Sequence, residues 1–276
     1  MNLLLKQNVQ WKRLQKTFEK ILYALVLIGL FFVSIMQREN NSVDLRILLE
    51  SGNAAINGIN PYRELPFYSP AWFLLLLSPL SLLPFDFIHA LWTICTLAAW
   101  VFILHKLEIS VIDSALFMLN PFMWFGMSLG NYDWLVLLGL FLPMSRGIWL
   151  LLLKPQIVFG AFLLWLRYVK LKYAIKVFFF PALIILICLG VGLYRSPDLK
   201  EMIWNQSLGL WGIPVGLIMM YFAFKRNDSI LALGASPFLS PYVGIQSWAI
   251  PFLLLTRDRR LLIIGLILSW AFIFVR

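Results

Sequence analysis

The feature that most constrains this chain is its near-continuous apolar runs. Residues 21–36 and 177–192 carry no charge, and similar stretches recur along nearly the whole length. Runs of this kind match helices solvated by lipid, where every backbone polar group is bonded within its own segment. Outer-membrane barrel strands alternate apolar and polar residues, and no such alternation is present. Composition agrees: 61% of the 276 residues are hydrophobic and 13% charged, with a mean hydropathy of +0.84. Ordinary globular chains are about 45–50% apolar and about 25% charged. The expectation is an all-α polytopic membrane protein forming one domain over residues 1–276.

The net charge is +10, and its distribution argues for topology rather than nucleic-acid binding. Lys6, Lys12, Arg13, Lys16 and Lys20 face a single acid, Glu19. Arg167, Lys170, Lys172 and Lys176 face none, and smaller clusters sit at Lys225 with Arg226 and at Arg257, Arg259 and Arg260. Two other intervals mix signs. One holds Arg38, Arg46 and Arg63 with Glu39, Asp44, Glu50 and Glu64; the other holds Arg195 and Lys200 with Asp198 and Glu201. The positive-inside rule puts the basic clusters in the cytoplasm, residues 1–20 included, and the mixed intervals outside. Residues 1–20 lack a small-x-small cleavage site after the apolar run and read as a signal anchor. Membrane lipid is the expected partner of the basic excess, with no nucleic acid.

Eleven membrane segments are expected, near 21–36, 69–84, 86–105, 111–128, 131–144, 147–166, 177–194, 207–224, 229–239, 246–256 and 261–275. Several fall short of the roughly 20 residues of a full span and are tilted, broken or re-entrant. The pair 111–128 and 131–144 is expected to start and end outside. Residues 37–68 form the first outer loop. Within it Leu45, Leu48, Leu49 and Ile56 recur at helical spacing, so an amphipathic helix is expected at the outer membrane surface. Asn41 or Ser42 caps its start and Gly58 ends it; Asn60 and Pro61 then mark a turn. A second outer loop, 195–206, contains Trp204. Cys95 and Cys188 sit inside apolar segments as small core residues. Proline lies in or beside most segments, as expected for helices broken around an internal cavity.

No phosphate-binding loop, dinucleotide fingerprint, paired-histidine metal motif or nucleophile elbow is present. The histidines His89 and His105 lie near segment ends, in packing or interfacial roles. Chemistry therefore falls to a few carboxylates, amides and cations. Asp44 stands in the first turn of the amphipathic helix, where it either complements the helix dipole or serves as a proton acceptor. Lys154 interrupts an apolar stretch, so it faces a cavity or pairs with Asp133 or Asp113. Asn131 and Gln246 are amides at helix breaks, with interhelical hydrogen bonding as the ordinary role.

The order of these pieces resembles glycosyltransferase family 87, whose members are GT-C-fold, polyprenol-phosphate-mannose-dependent mannosyltransferases and their relatives. The likeness runs from about residue 40 to 256. It comprises Asp44; the turn Gly58, Ile59, Asn60, Pro61, Tyr62; then Phe67, Tyr68, Ser69, Pro70; Gly130 and Asn131; Lys154, Pro155, Gln156; and Ser240, Pro241, Tyr242 with Gln246. It implies a metal-free enzyme without cofactor. Such an enzyme inverts C1 of a hexose, mannose first, as the sugar passes from polyprenyl phosphate to a hydroxyl of a glycan or glycolipid acceptor. Asp44 would be the general base and Lys154 and Arg63 cations for the departing phosphate. Tyr62, Tyr68, Asn131, Gln156 and Gln246 would line the substrate site. The work would be done on the outer face of a prokaryotic cell membrane. Asn131 stands where the family carries Gln, and Gln246 where it carries a histidine. An amide orients a substrate but does not carry a proton. A transporter or lipid flippase, and an inactive membrane scaffold, are the other readings of the same residues.

Overall fold

A computed structural model describes residues 2–37, 42–193 and 205–275, with side chains from residue 15 onward. Arg38, Glu39 and Asn41, the second mixed interval with Arg195, Asp198, Lys200 and Glu201, and Trp204 lie outside the described residues. The described residues are helical, without a strand. Among the described residues, three helices are long and apolar enough to cross a membrane: residues 15–36 of α1 (Asn2–Met36), α5 (Phe85–Lys106) and α11 (Leu171–Gly190). The others are shorter and interrupted: α2 (Val43–Ile56), α3 (Pro61–Glu64), α4 (Trp72–Leu80), α6 (Val111–Met118), α7 (Pro121–Leu129), α8 (Asp133–Leu138), α9 (Met144–Leu151), α10 (Phe159–Leu166), α12 (Gly212–Arg226), α13 (Ser229–Leu239), α14 (Ala249–Leu255) and α15 (Arg259–Val275).

Local sequence explains the breaks. Asn120 caps α7 through the Met123 N–H, with Pro121 in its first turn, so the segment expected at 111–128 is two helices. Gly130 ends α7 in the left-handed region, φ +71°. Asn60 likewise caps α3 with Pro61 behind it, and its amide donates to the Gly192 carbonyl, tying the turn to the end of α11. At the end of α2, Ile59 N–H bonds Ala54 O and Gly58 N–H bonds Ala55 O, a Schellman arrangement made possible by Gly58 at φ +72°. Ser42 precedes α2 but makes no capping bond with its side chain.

Helix contacts correct three expectations. The apolar face of α2 is filled by protein, not by a membrane surface. Leu45, Leu48 and Leu49 are buried, the Gly52 backbone touches Leu77 of α4, and Ser78 bonds the Gly52 carbonyl; Ile56 is exposed instead. Second, the segment expected at 69–84 is helical only over the nine residues of α4. These extend about 14 Å, and the start of α5 beyond them still lies beside α2, where Arg46 stacks on Phe85. Third, Asp113 at the start of α6 pairs with Arg259 at 2.6 Å. The loop after α5 therefore belongs with the basic clusters, not at the opposite end. Arg257 pairs with Asp228 at 2.5 Å and Arg167 bonds the Phe224 carbonyl at that same end. A short loop holding Lys106 and Glu108 has too little net charge to announce its side.

Residues 131–166 also depart from two ordinary spans. α8 and the 3-10 turn after it (Gly139–Phe141) pack against α9 through a glycine contact, Gly139 on Gly147, which brings Asp133 and Lys154 together at one end. The chain reverses again at Pro155 and runs through α10 to Arg167, so the stretch 147–166 is not one span but two arms meeting at Lys154. α12 and α13 pack closely because Gly212 and Gly216 admit Phe238 and Leu239. The exterior is apolar: Phe179, Phe180 and Leu186 of α11 and Ile264, Ile267 and Phe274 of α15 are exposed. An apolar exterior over an all-helical interior fits a membrane protein.

Candidate functional site

The residues that interrupt the helices converge on one polar cluster. Gly130 lets α7 end against α2, since a Cβ there would overlap the Leu45 Cβ. This close approach sets Asn131 beside Asp44, and the Asn131 Nδ2 donates to Asp44 Oδ2 at 2.8 Å. Asn131 Oδ1 accepts from the Asp133 N–H at 2.9 Å and from Lys154 Nζ at 3.1 Å. With two donors on its oxygen, the amide has one orientation, and its NH₂ must face the Asp44 carboxylate.

Lys154 is held on three sides. Its ammonium donates to Asp133 Oδ1 at 2.7 Å and to Asn131, and stands 4.2 Å from the Tyr132 ring centroid. The other Asp133 oxygen accepts from Ser247 Oγ at 2.6 Å. Of the two partners open to Lys154 from sequence, the fold selects Asp133, while Asp113 belongs to Arg259. Among the described residues, Asp44 is left as the carboxylate of the cluster held by an amide rather than a cation. Burial pushes its carboxyl above the ordinary carboxylate range. The Lys154 charge and the Asn131 hydrogen bond work against that rise, and Asp133 adds to it.

The cluster opens onto a cavity of about 470 Å³. Asp44, Tyr68, Asn131, Lys154, Gln156 and Gln246 all line it, together with Ser69, Tyr132, Ser240 and Tyr242. Asp44 and Lys154 thus share one chamber. Two expected lining residues do not reach it. Tyr62 is buried, and its hydroxyl donates to the Ser69 carbonyl at 2.8 Å, which ties α3 to the loop before α4. Ser69 Oγ in turn bonds Tyr132 Oη at 2.6 Å. Arg63 is exposed near Gly192, outside the chamber. A roomier groove of about 590 Å³ between α1 and α5 is walled by Leu27, Phe31, Leu97 and other apolar side chains, with His105 at one end. It holds none of the cluster.

Sequence reading missed Tyr132, Ser247 and Tyr242 as site residues and weighed Asp133 only as an ion-pair partner. Tyr132 and Asp133 had a usable signal, since they follow the Gly130 and Asn131 break directly. Ser247 had none: it reaches Asp133 across 114 residues of chain. No protein-family profile matches the chain, and no curated protein or solved structure matches it either.

Proposed function

We propose that the protein is a membrane glycosyltransferase that moves a hexose from a polyprenyl-phosphate donor to an acceptor hydroxyl, with inversion. The observation that carries this reading is that Asp44 and Lys154 open onto one chamber while, among the described residues, Lys154 is in an ion pair and Asp44 is not. The acceptor hydroxyl gives its proton to Asp44 as its oxygen attacks C1. The C1–O bond to the lipid phosphate breaks on the opposite face, and the phosphate leaves with the electron pair. A carboxyl lifted by burial is a stronger base than an exposed one, which suits proton abstraction near neutral pH. Asn131 fixes the carboxylate, and Lys154 is the ammonium lining the chamber, placed to meet the developing charge of the phosphate. Tyr68, Gln156 and Gln246 supply polar contacts for a sugar. Arg63 has no part in this reading.

Topology in this reading keeps the basic end cytoplasmic and the chamber toward the outer side. Nine crossings come from α1, α5, the α6 and α7 pair, and α10 to α15, with α8 and α9 as a re-entrant hairpin. The host is a prokaryotic cell membrane.

Purified full-length protein in nanodiscs, given polyprenyl-phosphate hexoses and lipid or glycan acceptors, should release polyprenyl phosphate. Asp44→Asn, nearly isosteric, should lower turnover by about 10²- to 10⁴-fold with unchanged folding. Equal turnover in the variant would sink the base assignment. A second reading draws on the re-entrant arms that meet at the Lys154 and Asp133 pair, since broken helices around a buried charge also form transporter sites. Acceptor-free movement of a lipid-linked sugar across vesicles that persists in Asp44→Asn would favour it.

A further inference from the structure

Asn131 and Asp133, but not Lys154, also line a second, much smaller chamber of about 20 Å³. That is room for one water molecule and little else, because a single water needs about 10–15 Å³ on this measure. Its walls come from α5, α7, α8 and the turn before α14. They are mostly apolar, with Thr96, Asn131, Asp133, Gln246 and Trp134 as the residues that carry polar side-chain atoms. Trp134 is 8% exposed, and its buried Nε1–H has no hydrogen-bond acceptor among the described residues. The ring itself is packed edge-on against Trp92, so the indole is not free to turn toward solvent. Buried donors without partners are rare in native proteins, and an ordered water is a common partner for one beside a water-sized void that also has acceptors in its wall.

We propose that this chamber is a binding site for one structural water, which accepts from Trp134 Nε1–H and donates to the oxygens around it. Asp133 and Thr96 both keep spare acceptor capacity. Asp133 takes one side-chain bond on each oxygen, and Thr96 Oγ1 donates to the Trp92 carbonyl and accepts no bond among the described residues. Asp133 and Gln246 touch both the water site and the Lys154 neighbourhood or the large cavity. The turn before α14 is already tied to Asp133 by the Ser247 hydroxyl, and the water would add a second polar contact behind that bond. This does not depend on the reaction: the site stands whether or not sugar transfer is found.

The test is a density map of the full-length protein at about 2 Å or better. A single peak 2.7–3.2 Å from Trp134 Nε1, with a second polar neighbour within the same reach, is the expected result. A chamber without density, in a map that orders other buried waters, overturns the proposal. Indole ¹H–¹⁵N spectra give an independent reading. The Trp134 resonance, identified by its loss in Trp134→Phe, should show a cross-relaxation peak at the water frequency. Its absence counts against a resident water. Should Trp134→Phe fail to fold, the wild-type map alone decides.

Discussion

Removing Lys154 tests the core of this molecule directly. Its side chain is 14% exposed and that of Asp133 9%, with 2.7 Å between the charged atoms. At an effective dielectric of about 20, two unit charges at this separation attract by about 6 kcal/mol. Desolvation of each ion costs several kcal/mol and cancels much of that gain, so the intact pair adds little net stability. The single variants are another matter. Lys154→Met keeps the stem and leaves the Asp133 carboxylate with Ser247 Oγ–H as its remaining side-chain donor, an uncompensated buried charge costing about 3–5 kcal/mol. Asp133→Asn strands the ammonium between the Asn131 oxygen and the Tyr132 ring, and a loss of similar size is expected. In the double variant no charge is stranded. Its cost should fall below the sum of the singles by about 2 kcal/mol or more, which is the signature of direct coupling. Reversible unfolding in mixed micelles, followed by tryptophan fluorescence, measures all four corners of the cycle. Strictly additive costs, or a Lys154→Met variant as stable as wild type, would mean that the two groups do not meet in a buried site.

Gly130→Ala should destabilise the fold by about 2 kcal/mol, since φ +71° disfavours any Cβ and this one would strike Leu45; the same unfolding assay reads it. Asp228 caps α13 and its carboxyl is held below the ordinary range, first by the Arg257 hydrogen bonds and against the effect of burial. Its pairing therefore stabilises the fold above the unfolded carboxylate pKa and is lost as pH falls through the depressed folded value. Asp228→Ala should cost about 1 kcal/mol near neutral pH, mainly from the cap, and the gap to wild type should narrow in acid. Glu108→Cys and Asp258→Cys, each on a background without Cys95 and Cys188, should react with an impermeant thiol reagent from the same side of the membrane. Labelling from opposite sides would contradict the pairing of Asp113 with Arg259.

The larger features were legible because they are local. Apolar runs fix the solvent a segment can tolerate, and α5 and α11 emerge close to the expected 86–105 and 177–194. The amphipathic spacing of Leu45, Leu48 and Leu49 marked the buried face of α2, and the turn chemistry of Gly58, Asn60 and Pro61 appeared where expected. Lys154 could be recognised as a cation needing a partner, because an ammonium in an apolar stretch has few physical alternatives. Asp44 stood out for its position at a helix start.

Which groups meet was decided by tertiary structure alone. Asp113 and Asp133 were equal candidates for Lys154, and only the return of the chain between α8 and α9, closed by the Gly139 and Gly147 contact, puts Asp133 within reach. The placement of α4 against α2, the withdrawal of Tyr62 and Arg63 from the chamber, and the arrival of Ser247 beside Asp133 all depend on contacts between segments distant in the chain. Hydropathy records the medium each residue prefers and periodicity records its face, but neither carries the path of the chain between segments. A short apolar helix has the same composition whether it crosses, folds back or packs beside a neighbour, and the geometry of the pairing separates these cases.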